Sequence, residues 1–195
     1  MNNLRLIFFL SFLLSTALVT AQQRFEGSLV GGVVLAQIDG DLLAGYNKFG
    51  FQAGARVNTL LSERWAFGIE LLYSQHGSSR TLNDPAGASF DKIRLNLVEV
   101  PLMIYFRDWK FQVGAGLSYG RLISTEAIDV FGNDISDNQN FRDDLIQYNL
   151  GVAFQFTEDW ALDVRWSKYI TNLQADPTAG TFLGKHIAVR GIYTL

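Results

Sequence analysis

The feature that most constrains this chain is a period of two, sustained over unusually long stretches. In KFQVGAGLSYGRL, residues 110–122, one face carries Phe111, Val113, Ala115, Leu117 and Tyr119. The other carries Gln112, Gly114, Gly116, Ser118 and Gly120. Alternation of this kind is a β-strand with one apolar and one polar or small face. The pattern recurs in 49–61, 65–76, 146–156 and 160–170, and again around Ile187, Val189 and Leu195. Two further stretches are less regular. Residues 25–36 are apolar on both faces in their second half. In 91–106 the apolar face moves from Ile93, Leu95 and Leu97 to Leu102, Ile104 and Phe106, with Pro101 near the change. Proline cannot donate to a ladder, so a bulge near Pro101 is the expectation. The count is eight strands of about 10–13 residues, longer than the ~5–6 of ordinary strands and close to the ~9–11 a membrane-crossing strand needs.

The connections alternate as well. Residues 61–65, 107–110 and 157–160 are tight turns, whereas about 37–48, 77–91, 123–144 and 173–184 read as long polar loops. Short turns at one end and long loops at the other fit a barrel crossing an outer membrane, with short turns and both termini on the periplasmic side. The turns share a motif: Glu63-Arg64-Trp65-Ala66-Phe67 and Glu158-Asp159-Trp160-Ala161-Leu162 are near copies, and Arg107-Asp108-Trp109-Lys110-Phe111 is a looser third. Trp65, Trp109 and Trp160 are therefore expected to form an aromatic girdle at the membrane–water interface, where an indole ring is half in apolar surroundings and its N–H stays wet.

Which face looks outward follows from the polar face. A soluble barrel would show water Lys, Glu and Thr; here the polar faces are mostly Gly, Ala, Ser, Asn and Gln. Small residues suit the interior of an eight-stranded barrel, which has room only for side chains. The apolar faces then meet lipid, where every backbone group must be paired and only a closed barrel avoids an edge. The fold expected is an all-β, eight-stranded antiparallel up-and-down transmembrane barrel in the outer membrane, a monomer. The charges Arg56, Glu70, Arg94, Asp163, Arg165 and Arg190 fall on polar faces, and Glu99 joins them. Inside a narrow lumen they must pair, so a structural network of Arg with Glu and Asp is expected, with Arg94 and Glu70 as partners from adjacent strands.

The N-terminus reads differently. Arg5 precedes an apolar run from Leu6 to Leu14, and Val19-Thr20-Ala21 has the small residues of a cleavage site. Residues 1–21 read as a secretory signal peptide and 22–195 as the barrel domain. The chain has no Cys, which removes disulfides, thiolate catalysis and Cys-ligated metals. With 16 Lys and Arg against 19 Asp and Glu, nothing favours nucleic acid. His76 and His186 read as lying near the long-loop rim and are too few for a metal site; no nucleophile-elbow motif accompanies them. The acidic stretch 129–138 does not follow calcium-loop spacing and reads as a solvated loop. No catalytic residue, metal or cofactor is expected.

The layout resembles the PorT-like outer-membrane β-barrel family of Bacteroidetes-type bacteria. The resemblance rests on Gly31-Gly32-Val33, Ile38-Asp39-Gly40-Asp41, Gly45-Tyr46-Asn47-Lys48-Phe49-Gly50-Phe51, Glu70-Leu71-Leu72-Tyr73-Ser74-Gln75 and Leu95-Asn96-Leu97-Val98-Glu99-Val100-Pro101-Leu102. It implies an outer-membrane barrel over about 24–195. It also implies, through the family's founding member, an association with type IX secretion, and it implies no substrate. The function expected is non-enzymatic, a scaffold or surface-binding role. Outer-membrane lipid, the barrel-assembly machinery and, through the loops, other envelope or secretion proteins are the expected partners. A narrow pore for small solutes is the alternative, and a lipid-modifying enzyme at the rim a third class. A folded barrel of this kind resists SDS until boiled, so the unboiled protein is expected to migrate faster on a gel than the boiled one; recovery in the soluble periplasmic fraction would contradict the reading.

Overall fold

The computed structural model describes residues 25–43, 45–82, 84–85, 89–176 and 180–195. The proposed signal peptide lies outside them. Eight strands follow one another: β1 (Phe25–Asp39), β2 (Lys48–Leu60), β3 (Trp65–Ser79), β4 (Phe90–Asp108), β5 (Phe111–Asp129), β6 (Asp144–Gln155), β7 (Trp160–Tyr169) and β8 (Leu183–Thr194). Each pairs antiparallel with the next, and β8 returns to β1 from Ser28↔Thr194 to Asp39↔Leu183, closing the barrel. A short 3-10 turn, Ser136–Asn138, lies between β5 and β6.

Leu29, Val33, Val57, Ile69, Leu71, Leu102, Ile104, Val113, Leu117, Leu150 and Val164 are exposed on the outer wall, as a lipid-facing surface requires. The inward positions hold small or polar residues, and some must be glycine. A Cβ on Gly54 would stand 2.0 Å from the backbone oxygen of Leu71, and one on Gly116 would stand 2.0 Å from that of Leu102. The wall bends inward so tightly there that only hydrogen fits.

Two expectations are corrected. First, the strands run to 19 residues in β4 and β5 rather than 10–13. Three loops contract accordingly, to 40–47, 80–89 and 130–143, while the fourth spans 170–182. The ladder continues past the belt because backbone pairing still satisfies N–H and C=O groups there. Second, β4 has no bulge at Pro101. The β3–β4 ladder passes from Leu72↔Glu99 to Ile69↔Leu102 in one register, with Pro101 only interrupting it. The register shifts lie higher, between Phe90 and Lys92 and between Asn96 and Leu97, where Ile123 of β5 is the extra residue.

The apolar face changes sides in β4 because the interior changes. Ile93, Leu95, Leu97, Glu99, Met103 and Tyr105 all point inward and are buried. At the long-loop end, Ile93, Leu95 and Leu97 join Ile38, Leu43, Phe90, Ala127, Phe141, Leu145, Tyr169, Leu173 and Phe182 in an apolar cluster that fills the top of the barrel. Below it the charged side chains lie among two smaller apolar clusters, one of Val30, Leu72 and Ile192 and the other of Ala66, Met103 and Tyr105.

Gly54→Ala is expected to destabilise the barrel by about 1–3 kcal/mol through overpacking against a fixed backbone. Gly31 points outward, and a Cβ there would meet nothing within 4 Å. Gly31→Ala should therefore change stability by less than about 0.5 kcal/mol. Urea midpoints of the refolded variants would compare the two.

Candidate functional site in the lumen

Register brings the lumen charges together. Arg56 of β2 lies opposite Glu70 of β3, and Asp163 of β7 lies opposite Arg190 of β8. All four point inward, as does Arg165 two residues after Asp163. The barrel is narrow enough that the two pairs meet across it. Glu70 is the hub. Arg56 donates through Nε to Oε1 at 2.7 Å. Arg165 donates a two-pronged pair at 2.9 Å each, and Arg190 donates through Nη1 to Oε2 at 3.2 Å. Asp163 accepts from Nε of Arg190 at 3.0 Å and from its Nη2, and has Arg56 and Arg165 guanidinium nitrogens at 3.6 and 3.8 Å.

Three cations thus share two carboxylates with almost no solvent contact. Glu99 supplies the third negative charge one layer higher. It accepts from Gln52 Nε2 at 3.1 Å, Ser74 Oγ at 2.8 Å and Gln147 Nε2 at 2.8 Å. Gln52 joins the layers, because its Oε1 accepts from Arg190 at 3.1 Å. Desolvated charges of this kind persist only when their lone pairs and protons are engaged in this way. The bidentate Arg165–Glu70 geometry is the strongest form available.

Six of the seven charges expected in the lumen, Arg56, Glu70, Glu99, Asp163, Arg165 and Arg190, are buried there. Arg94 is the correction. It does not reach Glu70 but stands on the outer wall, bonded to Glu126 at 3.0 Å. From Ile93 to Tyr105 the odd positions of β4 face inward, so the even position 94 does not. Tyr105 is a member that the sequence reading omits. Its hydroxyl donates to Glu70 at 2.8 Å and accepts from Arg165 at 3.0 Å, and Arg56 lies over its ring at 5.1 Å. A signal for it is present in the alternation: Tyr105 stands between Ile104 and Phe106, both on the outward face.

His76 and His186 lie in the lumen, not at the rim. They are 2% and 1% exposed, stacked with ring centres 3.9 Å apart, and His76 Nδ1 meets the Tyr169 hydroxyl at 2.6 Å. His76 Nε2 stands 3.8 Å from Glu99 Oε1. Ser74, the nearby hydroxyl, is bonded to Gln52 and Glu99. In the acidic stretch 129–138, Asp129 and Asp134 are bonded within the stretch itself. Asp129 accepts from the backbone N–H groups of Phe131 and Asn133, and Asp134 accepts from that of Ser136. Hydrogen bonds from Asn133 hold the Asp129 carboxyl below the usual carboxylate range. Among the described residues, no group of three His, Asp or Glu side chains is placed to hold a metal.

Trp65, Trp109 and Trp160 all stand on the outer wall at the short-turn end, exposed by 47%, 80% and 53%. Trp65 pairs edge-on with Phe106, and Trp160 packs against Tyr193. Trp109 occupies the β4–β5 turn at φ 52°, the left-handed region.

Glu70→Gln is expected to cost roughly 3–5 kcal/mol, because it strands buried cations. Arg94→Gln breaks only a half-exposed pair and should cost less than about 1 kcal/mol. Urea unfolding of the refolded barrel measures both, and similar costs would refute the placement of Arg94 outside the cluster.

The sequence matches the family described as "Outer membrane protein beta-barrel domain" over residues 7–188. No curated protein matches it. Among solved structures, Ail, the attachment invasion locus protein of Yersinia pestis, is similar with a TM-score of 0.54 at 13% identity, over 88% of this chain and 99% of that one. A major outer membrane protein from Thermus thermophilus gives a TM-score of 0.50 at 12% identity, over 88% and 99%. At such identities these two share the fold alone. With a closed eight-stranded barrel, a lipid-facing outer wall and a family match along nearly its whole length, this chain belongs to the outer membrane protein β-barrel domain family.

Proposed function

We propose that the protein is a closed, non-enzymatic barrel that serves as a rigid scaffold in the outer membrane and makes its contacts through the long-loop end. The observation that carries this reading is the filled lumen. The Arg–Glu–Asp cluster occupies its middle, and the apolar cluster around Ile93, Leu95 and Leu97 occupies its top. A solute would have to displace both. A pore is therefore the weaker reading, and among the described residues no nucleophile–base pair at the rim supports an enzyme.

The rim supports a contact surface. Leu42, Leu82 and Phe131 are fully or largely exposed at the tips of three different loops, where they strengthen no core. Exposed apolar residues on loops held by a rigid frame suit recognition of another macromolecule. At the opposite end, Trp65, Trp109 and Trp160 serve as the inner-leaflet anchor. The lumen charge cluster has a structural role: it rigidifies the barrel and plugs it. The Glu99-Val100-Pro101-Leu102 piece supports a place in the PorT-like branch, and with it a role beside type IX-like secretion. The barrel-assembly machinery is the partner for insertion.

In planar bilayers the purified protein is expected to give no steady conductance steps, and well-defined, ion-selective openings would overturn the scaffold reading in favour of a pore. Changing the exposed Leu42, Leu82 and Phe131 to Ser should leave heat-modifiable migration intact while abolishing contacts made at the cell surface. An unchanged secretome in a deletion strain would remove the secretion link and leave the scaffold reading standing.

A further inference from the structure

The outer wall of β3, β4 and β5 carries a cationic cluster that neither the lumen nor the loops use. Going up from the lipid belt, outward residues change in a fixed order. Tyr73 lies opposite Val98, Gln75 opposite Asn96, Gly77 opposite Arg94 and Ser79 opposite Lys92. The wall is thus apolar and aromatic at Tyr73, which packs on Phe51 with ring centres 5.3 Å apart. It becomes neutral polar at Asn96, which accepts from the Tyr73 hydroxyl at 3.1 Å and donates to Ser124 at 2.8 Å. Above that it is cationic.

Arg94 and Lys92 converge on one carboxylate, Glu126, at 3.0 and 2.8 Å. Two cations therefore face one carboxylate on this part of the wall. The Nε of Arg94 is buried without a hydrogen-bond partner. The residue opposite is Gly77, itself buried and held at φ 142°, with a would-be Cβ 2.0 Å from the Ile93 carbonyl oxygen. Arg121, lower on the same outer wall, has the opposite balance: it is bonded to two carboxylates, Asp143 at 2.9 Å and Asp144 at 2.7 Å.

Depth identifies the occupant. Arg94 is four residues above the Val98 rung, about 13 Å along a strand and roughly 10 Å in height for a tilt of ~40°. The headgroup layer extends about 5–8 Å beyond the hydrocarbon core, within reach of side chains as long as Arg and Lys. The long-loop end faces the cell exterior, so the layer is that of the outer leaflet. We propose that Lys92 and Arg94 bind the phosphate group of an outer-leaflet glycolipid, whose acyl chains then lie along Phe51, Tyr73 and Val98. A guanidinium and an ammonium on one phosphate form charge-assisted hydrogen bonds stronger than those of an exposed carboxylate pair, and the phosphate corrects the local excess of positive charge.

The test is native mass spectrometry of the detergent-purified, folded barrel titrated with bisphosphorylated lipid A, with the same lipid stripped of phosphate, and with inorganic phosphate. Wild type is expected to retain the phosphorylated lipid. The Lys92→Gln/Arg94→Gln variant should weaken retention at least tenfold, and Arg121→Gln should leave it unchanged. Equal retention of the stripped lipid, a double variant within twofold of wild type, or an equal loss in Arg121→Gln would overturn the proposal. Inorganic phosphate binding as tightly as the lipid would overturn it in favour of a free anion. Should the double variant fail to fold, Glu126→Gln decides: removal of the competing carboxylate should tighten lipid retention, and unchanged retention would refute the site.

Discussion

Everything in this barrel depends on the pairing of β8 with β1. In lipid an unpaired strand edge leaves a row of N–H and C=O groups with no partner at several kcal/mol each, so the sheet must return on itself. Closure after eight strands makes a cylinder just wide enough for side chains. The wall must curve sharply, which is why Gly54 and Gly116 tolerate no Cβ. It also means that inward side chains from opposite walls touch. Arg165 of β7 reaches Glu70 of β3, 95 residues away in the chain.

That narrowness sets the chemistry of the interior. A wide barrel would hold water, and its charges could remain apart. Here Glu70 collects three guanidiniums that Asp163 also faces, and Gln52 and Tyr105 take up further donors and acceptors. Above the belt the same cylinder continues, but the residues that fill it are apolar, led by Ile93, Leu95 and Leu97. The interior is thus a polar plug beneath an apolar cap, and the exterior is an apolar belt beneath a charged collar. Inside and outside exchange character at about the same height, and β4 records the exchange along its own length.

The period of two, the long strands, the alternation of short turns with long loops and the Trp at matching turn positions are all legible in the sequence. They are local consequences of backbone geometry and of which side chains tolerate lipid. The placement of Arg94 is not legible there. Residues 91–98 read as a lipid-facing strand with an apolar odd face, because alternation reports only that two faces differ. Which face is inside follows from neighbours, and above the belt the apolar face is the inner one. The histidines escape for a related reason: His76 and His186 lie on different strands, and only closure stacks them.

The sequence by itself determined the number of strands, their pairing order through the turn and loop lengths, the outward face within the lipid belt and the inward charges Arg56, Glu70, Asp163, Arg165 and Arg190. These follow from interactions between residues near in sequence and from a solvent that forbids unpaired backbone. The tertiary structure decided how far the strands rise above the belt, which charges meet, that Glu70 rather than Asp163 is the hub, and that Arg94 joins Lys92 and Glu126 on the outer wall. Those outcomes depend on distances across and around a closed cylinder, which no local pattern encodes.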